Sequence, residues 1–386
     1  MPVSQAELAE SGVGGLVTDT LAHLVATTLK TIRDDNAGMR TFVFGAGASV
    51  HAGYPLAFDL WRCMEQWVRA TPTADFLHAV NVMTAEFDLN KSFELVLTDL
   101  DNRIDSILGK PRRTWDECEE KAKLVDILRP TVKAMIPAYF DSLRFKPAEW
   151  YRRFANDVLT AGDAVITFNY DLALDRELRE AGKWSIGNGY GFRIGDIDDA
   201  SSSDSPCKLF KLHGSTHWLG ELFEGRRGFG QVNPLAGSLG ERPSIEPAAF
   251  EFLGYGNASD PQGDNGHGRI PSLIMPTANK KFFVETTDFR EWESFWDDLW
   301  SQAGEALRAS DEVYLIGYSI PEYDARAREL LTKRIRTGVA IRICCHHGTA
   351  DAVESLRRLR SGDANVEPGC ATTFEDWVSC ANLLAR

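Results

Sequence analysis

The sequence contains no Cys-x-x-Cys pair, no long apolar run and no excess of positive charge. Its seven cysteines are irregularly spaced, so we predict neither a disulfide framework nor a four-cysteine zinc module. No segment approaches the roughly 18 consecutive apolar residues of a membrane-spanning helix, and the N-terminus lacks the basic and apolar regions of a secretory signal. These absences predict a cytoplasmic protein that does not enter a membrane.

Charge and composition narrow the class of protein further. Lys and Arg number 42 against 56 Asp and Glu, which gives a net charge of −14. Because phosphate neutralisation needs clustered cations, this balance argues against a large nucleic-acid surface. The 386 residues, 44% of them hydrophobic and 25% charged, have the composition of a globular protein that can bury a large core. The length allows two or three domains, or one domain with insertions.

Short apolar runs alternate along the chain with segments of helical periodicity. The runs that we predict to be buried strands are 41–45, 164–168, 208–212, 313–316 and 339–345, with a shorter one at 273–276. Nearly continuous apolar strands that are separated by helices are typical of a parallel sheet. We therefore predict an α/β fold, with a Rossmann-like parallel sheet and a large helical insertion.

We interpret the chain as one domain over residues 1–386. Apolar residues at helical spacing predict a helical lead-in over 1–36 and a helical insertion over 56–160. The Rossmann-like core is assigned to 41–50, 161–219 and 270–350. Residues 220–268 are rich in Gly and Pro and have few periodic apolar positions, so they are predicted to form a flexible loop.

Unusual short motifs follow four of the predicted strands. They are Gly45-Ala-Gly-Ala-Ser49, Thr167-Phe-Asn-Tyr-Asp171, His213-Gly-Ser215 and Gly317-Tyr-Ser319. In an open parallel sheet the ligand crevice lies outside the carboxyl ends of the strands, so the four motifs are expected to meet. Glycines after a strand let the backbone approach a pyrophosphate. A dehydrogenase fingerprint is disfavoured, because Val50 stands where a third small residue belongs and Glu65, the acid at the right spacing, lies in a helical pattern.

Together these motifs resemble those of the sirtuin family. Gly45-Ala-Gly-Ala-Ser-Val-His-Ala-Gly53-Tyr-Pro55 is similar to the family's Gly-Ala-Gly-x-Ser-x-x-x-Gly-x-Pro, and Thr167–Asp171 to its Thr-x-Asn-x-Asp. Lys211-Leu-His-Gly-Ser215 is similar to its Leu-His-Gly-Ser, and Gly317-Tyr-Ser319 stands where the family has Gly-Thr-Ser. The order matches over residues 45–319. The resemblance implies a domain that binds NAD.

Two departures from the family pattern favour a divergent branch. The family's Gly-Ile-Pro-Asp-Phe-Arg becomes Gly53-Tyr-Pro-Leu-Ala-Phe58, so its Arg has no counterpart unless Arg62 replaces it. The paired zinc ligands of the deacylases are absent. Gly317-Tyr-Ser-Ile-Pro-Glu-Tyr-Asp324 further resembles sirtuin-like proteins of bacterial antiphage defence that hydrolyse NAD. The resemblance thus implies NAD as a substrate, with no zinc and no other metal.

The resemblance also assigns roles to individual residues. Asn169 is expected to bond the ribose and hold the attacking water, and His213 to bond a ribose hydroxyl and act as a base near neutral pH. Asp171 would shape the nicotinamide pocket. Thr167, Ser49 and Ser319, with the glycine backbones, are expected to hold the phosphates and the adenosine ribose. The full set of cofactor-binding candidates is Gly45, Ala46, Gly47, Ser49, Gly53, Pro55, Thr167, Asp171, Gly317 and Ser319.

Two further motifs look like metal ligands but are interpreted otherwise. His217 lies four residues after His213, but neither a helix nor a third ligand is evident there. In Cys344-Cys-His-His347, adjacent side chains of a strand alternate between faces, so the four cannot converge on one ion. We interpret these cysteines as packing residues and leave open a position of the histidines near the adenine.

Three functions remain open from the sequence. The leading one is an NAD hydrolase that releases nicotinamide and ADP-ribose as an NAD-depleting antiphage effector. The alternatives are an NAD-dependent protein deacylase and a catalytically silent subunit that binds NAD or ADP-ribose. Because unregulated NAD hydrolysis would harm the host, a homo-oligomer or a partner is expected as the trigger, and the resemblance implies a HerA-type ATPase or an Argonaute-type sensor. Candidate contacts are the aromatic stripe 292–300 and the lead-in helix.

Overall fold

The apolar runs of the sequence pair into one six-stranded parallel sheet in the computed structural model of the chain. Its strands are β1 (Arg40–Phe44), β2 (Ala164–Thr167), β3 (Lys208–Lys211), β7 (Glu312–Ile316), β8 (Ala340–Cys344) and β9 (Val366–Pro368). Every pairing between them is parallel. All of β2 is buried, as expected when helices cover both faces of a parallel sheet. The predicted α/β fold with a Rossmann-like sheet is confirmed.

The structure describes residues 38–110, 112–143, 146–186, 188–192, 205–222, 229–234, 268–277, 290–345 and 348–384. The predicted lead-in over 1–36, most of the predicted loop over 220–268, and the histidine pair at 346–347 lie outside these ranges. Residues from Arg40 onwards belong to one compact unit. Among the helices described, none is both long and apolar enough to cross a membrane.

The order of the strands is β3-β2-β1-β7-β8-β9, so the sheet grows from β1 in one direction and then, from β7, in the other. Thr41 of β1 lies between Ala164 of β2 and Val313 of β7. In a doubly wound sheet the ligand crevice opens where the strand order reverses. Gly45 and Gly317, the residues that follow β1 and β7, stand at this switch point.

Helices fill the predicted insertion between β1 and β2. After a 3₁₀ helix (Ala46–Ala52) come α1 (Ala57–Ala70), α2 (Ala74–Glu86), α3 (Phe93–Leu108), α4 (Trp115–Lys121), α5 (Arg129–Leu143) and α6 (Glu149–Arg153), with π-helical segments at Ala122–Leu128 and Phe154–Val158. Thr73 and Thr114 are the N-caps of α2 and α4, and their hydroxyl oxygens accept backbone N–H bonds that the helix itself cannot satisfy. Of the residues described between β1 and β2, none lies in a strand.

Five further helices lie in the described part of the chain after β2. They are α7 (Ala173–Glu180), α8 (Arg290–Ala309), α9 (Ala325–Lys333), α10 (Thr349–Leu359) and α11 (Phe374–Leu384). Phe44 of β1 contacts Phe154 and Phe374 edge-on, with ring centroids 5.1 and 5.5 Å apart, so α11 helps to cover the sheet. Both β9 and α11 lie beyond residue 350, the predicted end of the core. A strand of three residues is too short to produce a periodic signal.

A second, antiparallel sheet corrects the prediction for residues 220–268. Its strands are β4 (Gly214–Leu222), β5 (Phe229–Pro234) and β6 (Gly268–Leu273), in the order β5-β4-β6. The predicted loop therefore begins within a strand and contains another, and the short strand predicted at 273–276 lies instead at 268–273. Ladder hydrogen bonds between main chains hold such a ribbon without alternating apolar side chains, which is why the composition suggested a loop.

Candidate active site

A cavity of about 390 Å³ lies at the carboxyl ends of the central strands. All four predicted motifs contribute lining residues: Ala46, Gly47 and Ser49 after β1, Phe168 to Asp171 after β2, His213 after β3, and Gly317 to Ser319 after β7. The helical insertion adds Tyr54 to Phe58, Leu60, Glu94 and Phe140. The volume is within the range of small-molecule sites, about 300–1,000 Å³. The switch point of the sheet is therefore the candidate active site.

The glycines at the switch point are required because two backbones cross there. Gly47 N–H donates to the Gly317 carbonyl over 3.0 Å. A Cβ atom on Gly317, whose φ is +64°, would lie 2.2 Å from the Ala48 nitrogen, and one on Gly45 would lie 2.6 Å from the Gly317 oxygen. No side chain fits at either position. The contact between the two turns thus accounts for these glycines, whatever the cavity binds.

Asn169 is held by hydrogen bonds to the turn after β1. Its Nδ2 donates to the Gly45 carbonyl over 2.9 Å and to Ser49 Oγ over 3.0 Å. Ser49 Oγ in turn donates to Asp171 Oδ2 over 2.7 Å and lies 2.8 Å from the Tyr151 hydroxyl. These two hydrogen bonds use the amide nitrogen of Asn169, so its amide oxygen is the group that can accept a hydrogen bond from a ligand or a water in the cavity.

Asp171 is buried next to the ion pair between Lys211 and Asp175. Burial raises the pKa of its carboxyl, while the charge of Lys211 and the Ser49 hydrogen bond act in the opposite direction. Lys211 Nζ donates to the Asp171 carbonyl over 2.6 Å and lies 2.9 Å from Asp175 Oδ2, with both charged side chains almost fully buried. The lysine is thus fixed between the backbone of the site and its own counter-ion.

His213, which follows β3, contacts the carboxylate of Asp324, a residue that follows β7. Its Nε2 lies 3.0 Å from Asp324 Oδ2, and the two side chains are 11% and 2% exposed. The Phe168 ring packs against the imidazole with centroids 4.9 Å apart, and Tyr318 stacks on Phe168 at 4.3 Å. Asp324 was not among the predicted site residues, although it ends the quoted run 317–324. An acid at the start of a helix that follows a motif strand is the signal that could have found it.

The turn that carries Asp324 is strained. Ile320 has a φ of +55°, a left-handed conformation that a β-branched side chain rarely adopts, and it is buried. Such a conformation costs about 1–3 kcal/mol and persists only where the surroundings fix it. The neighbouring residue Ser319 lines the cavity. The strain therefore lies in a segment that shapes the candidate site.

Nine of the predicted site residues line the cavity: Ala46, Gly47, Ser49, Pro55, Asn169, Asp171, His213, Gly317 and Ser319. The other three support the wall from behind. The Gly45 carbonyl and Thr167 Oγ1 accept hydrogen bonds from the Asn169 side chain and backbone, and Gly53 ends the 3₁₀ helix with a φ of +81°. Gly45, Gly53 and Thr167 thus lie behind the residues that line the cavity.

The hypothesis that Arg62 replaces the family's Arg is wrong in this structure. Arg62 is exposed, is absent from the cavity lining and pairs with Asp59 over 2.5 Å on the same helix. Among the described residues that line the cavity there is neither Lys nor Arg.

The carboxyl groups that line the cavity include that of Glu94 of α3. Burial and a hydrogen bond with Glu94 raise the pKa of Tyr323. Glu94 lies outside every motif, so nothing in the sequence singled it out.

His217 belongs to the core rather than to the cavity. Its Nδ1 lies 2.9 Å from Ser215 Oγ and its Nε2 lies 3.1 Å from the Tyr190 hydroxyl. Burial, with a smaller effect from the charge of Lys211, holds the pKa of His217 well below its ordinary value. Within the described ranges, no three His, Cys, Asp or Glu side chains are placed to hold a metal ion. Of the two cysteines that were predicted to be packing residues, Cys345 is indeed buried, and it also lines the cavity.

Comparison with known proteins gives matches among solved structures. No protein-family model matches the sequence, and no curated protein matches it. The structure of Sir2Tm bound to a propionylated peptide is similar over 91% of this chain and 93% of that one, at 14% sequence identity and a TM-score of 0.34. A similarity this low indicates neither an activity nor a substrate for this chain.

Proposed function

We propose that the protein is an NAD glycohydrolase, which hydrolyses the bond between nicotinamide and ribose. One observation carries the proposal: Asn169, Asp171 and His213 meet in a single cavity at the switch point of the sheet. This is the residue set that the sirtuin resemblance assigns to NAD. We propose accordingly that the chain is a divergent, zinc-free member of the sirtuin-like proteins.

The residues of the cavity fit NAD as the substrate. Ser319 and the backbone of the two crossing turns, that of Ser49 included, offer hydrogen-bonding groups for the riboses and the pyrophosphate. The carboxyl group of Glu94 attracts the cationic pyridinium ring. The aromatic rings of Phe140 and Tyr318 supply flat apolar surface for a heterocycle.

Hydrolysis requires one bond to break and one to form at C1′ of the ribose. The C1′–N bond breaks, its electron pair leaves with nicotinamide, and positive charge develops on the ribose. The oxygen of a water molecule bonds to C1′ from the opposite face while its proton passes to His213. The amide oxygen of Asn169 accepts a hydrogen bond from this water and so orients it for attack.

Water, rather than an acylated lysine, is the proposed acceptor. In the deacylases that the sequence resembles, a Cys-x-x-Cys zinc module helps to form the peptide cleft, and this sequence has no such pair. Leu56, Ala57 and Phe58 of the helical insertion line the cavity, and Phe58 is 69% exposed. A peptide would therefore lack the wall that the zinc module provides and would meet the insertion.

We propose further that NAD depletion serves antiphage defence and that self-assembly or a partner, such as a HerA-type ATPase, controls it. A hydrolase without control would consume the NAD of its own host. The described part of the aromatic stripe 292–300 is not available as a contact, because Trp296 and Trp300 are buried within the chain. A monomer in light scattering, both alone and with the ATPase, would contradict this proposal.

The decisive experiment is to incubate the protein with NAD alone and to follow nicotinamide by chromatography. We expect release without any acylated peptide, and loss of release in Asn169→Ala and in His213→Ala. Matched controls are Asn156→Ala and His78→Ala, which change exposed residues away from the cavity and should retain full activity. Release that depends on an acyl-lysine peptide would identify a deacylase, and NAD that binds but persists would identify a silent subunit.

A further inference from the structure

We infer that Asp324 is a positioning residue, which fixes the tautomer and the orientation of the His213 imidazole. The effect on catalysis rests on the proposed function, whereas the tautomer is a property of the protein without substrate. The inference stands on the 3.0 Å contact between His213 Nε2 and Asp324 Oδ2 at an almost fully buried carboxylate. Nothing in the sequence motifs links these two residues.

The carboxylate of Asp324 is fixed by its own surroundings. It is the N-cap of α9, and its Oδ1 accepts the backbone N–H of Ala327 over 3.2 Å. Its Oδ2 accepts the hydroxyl of Tyr318 over 3.2 Å, and the same Tyr318 ring stacks on Phe168. The helix end therefore determines which oxygen of the carboxylate faces His213.

The turn from Gly317 to Asp324 has to reach across the sheet to make this contact. His213 follows β3 and Asp324 follows β7, and the strands β2 and β1 lie between them. Ile320, in the middle of this turn, has the unfavourable φ of +55°. A strained turn that delivers a buried carboxylate to one imidazole nitrogen is typical of a functional site.

The carboxylate selects one tautomer of the imidazole. Because a carboxylate only accepts hydrogen bonds, the proton of a neutral His213 lies on Nε2, and Nδ1 is the proton-accepting nitrogen. Carboxylates orient histidines in this way in metal sites and in hydrolases, and loss of such a partner costs about 10–100-fold in activity. The Nδ1 of His213 is thus the atom that would take the proton of the attacking water.

Asp324→Asn tests the assignment with little change in shape. The N–H of Ala327 requires an oxygen, so the amide oxygen of the new Asn keeps the place of Oδ1 and its NH₂ group takes the place of Oδ2. This NH₂ group donates to Nε2, so the proton of His213 moves to Nδ1. Asn is as good an N-cap as Asp, so the thermal midpoint of unfolding should stay near that of the parent protein.

The tautomer can be observed directly by NMR. The protein is labelled with ¹⁵N-histidine, the long-range ¹H–¹⁵N signals are recorded where the imidazole is neutral, and those of His213 are identified by their loss in His213→Ala. We expect an Nε2–H ring in the parent protein and an Nδ1–H ring in Asp324→Asn. An Nδ1–H ring in the parent protein would overturn the inference even if the variant does not fold, and so would an unchanged tautomer in the variant.

Kinetics provide the second readout. For Asp324→Asn we expect kcat for nicotinamide release to fall about 10–100-fold with little change in KM for NAD, because the residue orients the base rather than binding the substrate. Thr114→Ala, which removes an N-cap far from the cavity, should lower stability and leave kcat and the His213 tautomer unchanged. If the tautomer changes as expected and the parent protein does not cleave NAD, the proposed function fails and the assignment of Asp324 stands.

Discussion

Two halves of the cavity wall are built by different means. The polar half, which we define as the ends of β1 and β2, is a hydrogen-bonded network in which Ser49 contacts both Asn169 and Asp171. The strained half, defined as residues 317–324 after β7, contains two left-handed residues, Gly317 and Ile320. Hydrogen bonds among its own side chains hold the first half, whereas the second has a single such bond, from Tyr318 to Asp324, and a left-handed backbone that the surrounding packing holds.

This difference predicts different consequences of substitution. In the polar half, removal of one side chain leaves buried partners without a hydrogen bond, so the free energy of unfolding and the activity should fall together. In the strained half, the shape of the backbone limits what can be tolerated, and the chemistry of a side chain such as Asp324 can be changed with little effect on stability. The following predictions test this contrast, from the largest expected effect to the smallest.

The largest effect is expected in the strained half, for Gly317→Ala. The new Cβ would lie 2.2 Å from the backbone nitrogen of Ala48 at a φ of +64°. Left-handed strain and overpacking together should lower the free energy of unfolding by about 3 kcal/mol. Urea unfolding measures the loss. The control is Gly338→Ala, because Gly338 has a φ of +87° but a Cβ atom there would have no neighbour within 4 Å. In this variant the left-handed strain alone should lower the free energy of unfolding by about 1–2 kcal/mol. Equal losses in both variants would show that the crossing of the turns does not matter.

The polar half is tested by Ser49→Ala. Its Oγ donates to Asp171 and accepts from Asn169, and Tyr151 also loses one of its hydrogen-bond partners. We expect a loss of about 2 kcal/mol in the free energy of unfolding, together with slower nicotinamide release. Ser106→Ala, at an exposed position that bonds only to the Arg103 carbonyl, should change stability by less than about 0.5 kcal/mol. Full activity in Ser49→Ala would remove the network from the function of Asn169.

Acidification should destabilise the core behind the polar half through His217. Burial, and secondarily Lys211, lowers the pKa of this histidine well below its ordinary value of 6.5. A group whose pKa is lowered on folding contributes stability that is lost as the pH falls below the unfolded value. Below pH 6.5 the expected loss is about 1.4 kcal/mol per pH unit.

Urea unfolding of the parent protein and of His217→Gln, at pH 6.5 and one unit lower, measures this contribution. The glutamine can still hydrogen-bond to Ser215 and Tyr190 but does not titrate. The difference in stability between the two proteins should therefore shrink on acidification. A difference that stays constant with pH would contradict the assignment of the titration to His217.

The smallest effect is expected at Ser361, which is left-handed like Ile320 but exposed and distant from the cavity. Ser361→Gly removes the strain, and the greater freedom of glycine in the unfolded chain offsets part of the gain. We expect a stabilisation of about 0.5 kcal/mol with unchanged activity. Thermal unfolding shows whether the variant is more or less stable than the parent protein. A destabilised variant would mean that a left-handed conformation alone does not indicate strain in this protein.

The strands and most of the cavity were predictable because short apolar runs and the motifs that follow them can be recognised within a few residues of sequence. A buried parallel strand is apolar on both faces, so β1, β2 and β7 are visible as short apolar runs, and their carboxyl ends must meet. The antiparallel β5 has no such apolar run, because main-chain pairing with β4 holds it.

Gly45 shows a further limit of prediction from the sequence. Its motif was assigned to a ligand, whereas the structure explains the residue by the close approach of Gly317.

The contact between Asp324 and His213 could not have been assigned from the sequence alone, and neither could the position of Glu94 in the cavity wall. The partner of Asp324 follows another strand, and only the strand order brings the two residues together. Glu94 comes from the helical insertion, where its helix pattern resembles that of any amphipathic helix. Contacts between distant segments depend on the packing of whole elements, which periodicity does not encode.

The position of β7 in the sheet has a consequence for the synthesis of the protein. Although β1 and β2 are made early, β1 acquires its second neighbour only when β7 (Glu312–Ile316) has left the ribosome. Until then the wall formed by residues 317–324 is missing, and the cavity is open on one side. Nascent chains and N-terminal fragments that end before β7 therefore lack this wall of the site. The candidate site is therefore complete only once the chain has been translated past Asp324.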